Sequence, residues 1–81
     1  MNPAKIRVLL VDDSLIALAL LKRMLTAASD IEVVGEARNG FEALALLPKV
    51  HPMVVCTDLH MPKMNGFELT REIMATHPLP V

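Results

Sequence analysis

Short runs of apolar residues alternate along this chain with longer stretches in which apolar residues recur at helical spacing. The first run, Ile6 to Val11, is apolar apart from Arg7, which is typical of a parallel strand covered by helices on both faces. From Leu15 to Leu25 the apolar residues return at three- and four-residue steps, with charged residues on the other side. This second stretch therefore predicts an amphipathic helix.

A second strand and helix follow at once. Ile31 to Glu36 is a more alternating run, which favours a strand at the edge of a sheet. Asn39 is then followed three residues later by Glu42, a pattern typical of a helix start. We expect this second helix to end as Pro48 approaches, because proline lacks the backbone N–H that a helix interior needs.

The third strand and helix repeat this organisation. Met53 to Asp58 is rich in β-branched residues and predicts a strand, and its apolar character favours a central position. Asn65 and Glu68 repeat the helix-start pattern, and the helix they open should end at His77 and Pro78. Its inward-facing residues are expected to be Leu69, Ile73 and Met74.

Alternating strands and helices indicate an α/β fold built from βαβ units around a parallel sheet. Right-handed crossovers place the first strand between the second and the third, so the predicted sheet order is 2-1-3. The pattern expects a fourth strand to begin at Leu79 to Val81. Because residues 1–81 stop where that strand would begin, the outer edge of the third strand is expected to be bare and apolar. A bare apolar edge can pair with another chain, so the pattern predicts self-association through that edge.

Composition excludes several classes of function. The chain has 81 residues, 53% hydrophobic residues and a formal net charge of −1, which indicates one small domain. No apolar run reaches the roughly 18 residues of a membrane span, and the amino terminus lacks the apolar region of a signal peptide, so we expect a cytoplasmic location. Scattered basic residues and only two aromatic residues argue against nucleic-acid binding. The single cysteine, Cys56, lies in an apolar run and is expected to be a buried structural thiol.

Three acidic residues stand out by position. Asp12 and Asp13 come directly after the first strand, and Asp58 ends the third. The carboxyl ends of neighbouring parallel strands meet at one edge of a sheet, where ligands bind. Carboxylates a few ångströms apart repel by roughly 4 kcal/mol per pair at an effective dielectric constant near 20, so the cluster is tolerable only with a bound metal ion or a proton. It therefore predicts a cation site. The simpler interpretation is a solvated loop with an acidic helix start.

The segments VLLVDDS, GEARNGFEAL and DLHMPKMNGFEL together resemble the receiver domain of bacterial two-component response regulators. The resemblance implies a flavodoxin-like (CheY-like) doubly wound parallel sheet, incomplete here as three βα units. Residues 1–81 would be a receiver domain truncated before its fourth and fifth strands. The segments DIEVVGEARNG and REIMATHPLPV are similar to the amino-terminal receiver of chemotaxis methylesterases.

The resemblance also implies roles for individual residues. Asp58 would be the phosphoacceptor, taking a phosphoryl group from a sensor histidine kinase or a small phosphodonor. Asp13 and Asp58 would bind Mg²⁺ together with the backbone carbonyl of His60, while Asp12 would contact the ion through water or orient the other ligands. The chain would then be a signalling module and not an enzyme, acting on an output domain or target protein.

The resemblance also implies roles for two loop residues, and it shows that two phosphoryl-binding residues of complete receivers have no counterpart in residues 1–81. Pro62 should fix the loop after the phosphoacceptor, and Gly66 should give the turn into the third helix room beside the site. Complete receivers also carry a Ser or Thr that ends the fourth strand and a Lys that ends the fifth, both of which bind the phosphoryl group. Residues 1–81 contain neither, so phosphorylation of this segment is expected to be impaired.

Two other functions are compatible with the fold. The first is a protein-interaction module that uses the receiver fold without being phosphorylated. The second is a metal-dependent phosphatase with an aspartyl nucleophile after the first strand. That second function is disfavoured, because such enzymes need carboxylates two residues apart, whereas Asp12 and Asp13 are adjacent.

Overall fold

A computed structural model describes residues 5–81 as three strand–helix units in succession. The elements are β1 (Ile6–Val11), α1 (Leu15–Thr26), β2 (Ile31–Ala37), α2 (Gly40–Val50), β3 (Val54–Thr57) and α3 (Gly66–Thr76). Both strand pairs are parallel, and the strands lie in the order β2-β1-β3, which confirms the predicted order. Within the described residues, no helix combines the length and the apolar character that a membrane crossing requires.

The core forms on both faces of the central strand β1. Leu9 and Val11 face α2 and α3 and join a cluster with residues such as Leu69. Leu10 points to the other face, where it packs with Leu18 of α1. The relative exposures of Leu9 and Leu10 are both 0%, which explains why this strand is apolar almost throughout. This packing fixes the carboxyl end of β1, where the acidic pair begins.

Helix α2 runs further than predicted, through Pro48 to Val50. Pro48 lies in the last turn, where its missing N–H removes a single hydrogen bond near the helix end and does not interrupt the helix. The end is set instead by His51, which has a left-handed backbone with φ 47° and whose N–H donates to the Leu47 carbonyl oxygen at 3.1 Å.

Three predictions about individual side chains and strand position were wrong. Met74 is 55% exposed, because it lies about 100° around the helix from the buried Ile73 and so leaves the inward face. Cys56 is also exposed. Its side chain lies on the sheet face of α1, and that helix packs mainly over β1 and β2. β3 is an edge strand among the described residues, not a central one.

The outer edge of β3 is partly covered by the end of the chain. The N–H of Val55 points away from β1 and donates to the carbonyl oxygen of Pro80 at 2.9 Å. The segment from residue 79 to residue 81 therefore lies beside β3, where the fourth strand was expected, although it forms no regular strand. The edge is less bare than the sequence predicts.

We expect His51→Gly to raise the free energy of unfolding by about 1 kcal/mol, because glycine adopts a left-handed backbone without the steric cost of a Cβ atom. Pro52 increases that cost in the wild type, since it disfavours helical conformations at the residue before it. Urea unfolding followed by circular dichroism would measure the change. His77→Gly is the matched control, because His77 also ends a helix and precedes proline but has φ −140°. A destabilised His51→Gly variant would contradict this account.

Candidate functional site

The carboxyl ends of β1 and β3 bring three carboxylates together. Asp12 and Asp13 follow β1, Asp58 follows β3, and one carboxylate oxygen of each lies within 4.8 Å of the others. The parallel pairing continues into the site, because the Asp58 N–H donates to the Val11 carbonyl oxygen at 2.9 Å. The two strands therefore hold the carboxylates by backbone hydrogen bonding and not by side-chain contacts alone.

The start of α1 orients Asp12. The N–H of Asp12 donates to the carbonyl oxygen of Ala37 at 3.0 Å, and Oδ1 of Asp12 accepts from the N–H of Ser14 at 2.9 Å. Ser14 in turn caps α1, with its Oγ accepting from the N–H of Ala17 at 3.2 Å. Asp12 is half-buried and tied at both its backbone and its side chain, whereas Asp13 is exposed.

Gly66 brings the start of α3 against the backbone that carries Asp58. The N–H of Gly66 donates to the Leu59 carbonyl oxygen at 3.1 Å. A Cβ atom at Gly66 would overlap the carbonyl oxygen of Asp58 and would lie 3.0 Å from the Cα of Leu59. A residue without a Cβ atom is thus needed at position 66, because the backbone at the start of α3 lies directly against the backbone of Asp58 and Leu59. His60 is exposed, and its N–H lies 3.4 Å from Oδ1 of Asp58.

Both Asn-Gly-Phe-Glu segments form the predicted helix starts. In α3, Oδ1 of Asn65 accepts from the N–H of Glu68 at 2.9 Å, and Oε1 of Glu68 accepts from the N–H of Asn65 at 3.2 Å. In α2, Oδ1 of Asn39 accepts from the N–H of Glu42 at 3.0 Å. Both helices therefore begin at the same edge of the sheet as the carboxylates.

A cavity of about 340 Å³ opens beside the carboxylates and includes Asp13 in its wall. Its other lining residues are Arg38, Asn39, Glu42, Pro62 and Lys63. Pro62, expected to fix the loop, is exposed and forms part of this wall, next to Lys63, which has a left-handed backbone with φ 66°. Sequence reasoning missed Arg38 and Lys63, because they come from two different loops and no motif links them.

The donor set suits a hard divalent cation. Magnesium takes oxygen ligands, and it is commonly bound by one or two carboxylates together with water. The three clustered carboxylates offer such oxygens at one point, and the exposed side of Asp13 leaves access from solvent. A bound cation would also offset the repulsion among the three negative charges.

Sequence comparisons match the chain to known proteins over nearly its whole length. The family model described as "Response regulator receiver domain" matches residues 8–81. A protein-glutamate methylesterase/protein-glutamine glutaminase of Pyrococcus abyssi is 47% identical over 77 residues, which are 95% of this chain and 21% of that protein. Protein-glutamate methylesterase/protein-glutamine glutaminase 1 of Caulobacter vibrioides is 46% identical over 78 residues, which are 96% of this chain and 23% of that protein. The chain thus spans about a fifth of the length of these relatives.

Solved structures show the same fold. The response regulator domain of Thermotoga maritima CheB matches with a TM-score of 0.88 and 39% identity, over 93% of this chain and 56% of that one. A CheX–CheY complex with BeF3 and Mg²⁺ from Borrelia burgdorferi matches with a TM-score of 0.83 and 28% identity, over 91% of this chain and 56% of that one. These neighbours confirm the predicted CheY-like architecture.

Proposed function

The chain belongs to the response regulator receiver domain family, and we propose that it is the phosphoacceptor module of a two-component response regulator. Asp58 is the proposed site of phosphorylation. The observation that carries this proposal is the convergence of Asp58 with Asp12 and Asp13 at the carboxyl edge of the sheet. That edge is where open parallel sheets bind their ligands.

Asp13 and Asp58 are the proposed direct ligands of Mg²⁺, together with the backbone carbonyl of His60. Asp12, whose Oδ1 is already engaged by the N–H of Ser14, would contact the ion through water or hold the other ligands in place. When bound, Mg²⁺ supplies positive charge to the phosphoryl oxygens. The similar Borrelia burgdorferi structure, which is described with BeF3 and Mg²⁺, supports this choice of ion.

In the proposed reaction, a carboxylate oxygen of Asp58 attacks the phosphorus atom of a phosphohistidine or an acyl phosphate. A new P–O bond forms to Asp58 while the bond from phosphorus to the donor nitrogen or oxygen breaks. A carboxylate can act as the nucleophile without a general base.

Phosphorylation can be tested by incubating the protein with acetyl phosphate and Mg²⁺ and measuring its intact mass. We expect the wild type to gain one phosphoryl group and Asp58→Asn to gain none. Asp30→Asn is the matched control, because Asp30 is an exposed aspartate in the turn before β2 and should not affect the reaction. Chelation of Mg²⁺ should abolish the gain in both reactive proteins.

The same experiment separates this function from the alternative, a protein-interaction module that is not phosphorylated. A wild type that gains no mass at any donor concentration, while remaining folded, would favour that alternative. A phosphoryl group on Asp58→Asn would reject Asp58 as the acceptor.

The proposed partners are a sensor histidine kinase and an output domain or target protein. The methylesterase relatives extend well beyond the matched receiver segment, which favours chemotaxis signalling and an esterase output. The cytoplasmic location predicted from the sequence fits this role and stays a prediction. Self-association through β3 also stays a prediction, and the hydrogen bond from Val55 to Pro80 weakens it because it occupies part of that edge.

A further inference from the structure

The cavity beside the carboxylates is lined by two positively charged residues that the proposed function does not use. Arg38 comes from the loop before α2, and Lys63 comes from the loop between β3 and α3. Both residues are exposed. They share the cavity with Asp13, whose carboxylate has an oxygen within 4.8 Å of one in Asp58. The cavity therefore lies next to the proposed site of phosphorylation.

The charges that line the cavity cancel while no cation is bound. Arg38 and Lys63 contribute two positive charges, whereas the other two charged residues of the lining, Asp13 and Glu42, are acidic. The Glu42 carboxylate is already engaged, because Oε1 accepts from the N–H of Arg38 at 3.1 Å and Oε2 accepts from Nδ2 of Asn39 at 3.2 Å. A divalent cation on Asp13 would therefore make the lining positive overall.

Two features of the backbone also favour an anion in this cavity. The start of α2 lies in the lining, and the positive end of a helix dipole attracts negative charge. Lys63 has a left-handed backbone with φ 66°, which costs a residue with a Cβ atom about 1 kcal/mol relative to glycine. Strain of this kind is concentrated at ligand sites. A lysine at this position is explained if its ammonium group is needed in the cavity.

We propose that this cavity, once Mg²⁺ is bound, attracts the phosphoryl group of the phosphodonor and holds it before transfer to Asp58. Arg38 and Lys63 are then specificity-determining residues that favour anionic donors. The inference rests on the proposed function, because it takes Asp13 as a Mg²⁺ ligand and Asp58 as the acceptor. The cavity, at about 340 Å³, has room for a phosphoryl group, and positive charge in a cleft raises the local concentration of anions.

The two positive charges should act in opposite directions on the two ligands. A positive side chain near Asp13 attracts a phosphoryl group but repels Mg²⁺. Lys63→Gln and Arg38→Gln should therefore each slow phosphorylation by acetyl phosphate about threefold, at donor concentrations well below saturation, and each should tighten Mg²⁺ binding about twofold. A substitution that only distorted the loop would weaken Mg²⁺ binding as well as slow the reaction.

Initial rates of phosphorylation measured by intact mass, and Mg²⁺ affinities measured by titration calorimetry without a donor, test this prediction. Lys22→Gln and Arg71→Gln are the matched controls, because these exposed residues lie on α1 and α3 and do not line the cavity. Neither control should change the rate or the affinity. Lys63→Arg keeps the positive charge and should keep both values close to those of the wild type.

Phosphoramidate serves as a second donor, because its phosphoryl group is bonded to nitrogen, as in phosphohistidine. We expect the cavity variants to slow both donors, which share only the phosphoryl group. Slowing with acetyl phosphate alone would show that the cavity binds the acetyl group and would overturn the proposal. Cavity variants that react as fast as the controls, or that bind Mg²⁺ more weakly than the wild type, also overturn it. A folded wild type that gains no phosphoryl group from either donor contradicts the proposed function itself, and this inference with it.

Discussion

Gly66→Ala is expected to lower the free energy of unfolding by about 3 kcal/mol or more, a larger effect than the same substitution should have at Gly35 or Gly40. The added Cβ would overlap the carbonyl oxygen of Asp58 and lie 3.0 Å from the Cα of Leu59. Both obstacles are backbone atoms fixed by β3 and by the hydrogen bond from Gly66 to Leu59. The start of α3 or the loop that follows Asp58 must therefore move.

Urea unfolding measures this loss directly, and Gly40→Ala is the matched control. Gly40 also begins a helix, and its added Cβ would lie 2.6 Å from atoms of the Met64 side chain. That side chain is flexible and half-buried, so it can shift, and we expect a loss of only about 1 kcal/mol. A Gly66→Ala variant as stable as the wild type, or less affected than Gly40→Ala, would show that the close approach is not required.

The sequence predicts the fold well because its signals are local and repeated. The strands β1 and β3 lie in apolar runs and β2 in an alternating one, and each Asn-x-x-Glu segment caps a helix within its own first turn, as at Asn65 and Glu68. The sheet order then follows from crossover handedness and not from any single contact. The convergence of the acidic residues follows in turn, since strand order and direction decide which strand ends are neighbours.

The errors concern properties that depend on more distant neighbours. Cys56 is apolar in its sequence context, but its burial depends on which part of the sheet α1 covers, and α1 lies mainly over β1 and β2. Met74 was expected to face inward with Leu69 and Ile73, but it is exposed because it is one position past the inward face. Arg38 and Lys63 line the same cavity from two loops that are far apart in sequence, so only the folded chain brings them together.

Asp13→Asn is expected to raise the free energy of unfolding relative to the wild type without Mg²⁺ and to lower it relative to the wild type with Mg²⁺. Without the ion, the variant removes one charge from three carboxylates whose oxygens lie within 4.8 Å of one another. Less repulsion should raise the free energy of unfolding by about 1 kcal/mol, a modest gain because Asp13 is exposed and screened by solvent. With Mg²⁺ at a hundredfold excess over its dissociation constant, the wild type should gain about 2.7 kcal/mol, whereas a variant lacking one ligand should gain much less.

Thermal or urea unfolding in a chelator and in MgCl₂, at equal ionic strength, measures both halves of this prediction. Asp13→Asn should be the more stable protein in chelator and the less stable one in MgCl₂. Asp30→Asn is the control, because it changes the net charge equally at an exposed position in the turn before β2. Its stability relative to the wild type should be the same in chelator and in MgCl₂. If Mg²⁺ stabilised Asp13→Asn as strongly as the wild type, Asp13 would not be a ligand. Asp58 and Asp12 would then have to hold the cation without it, because they are the remaining acidic groups of the cluster.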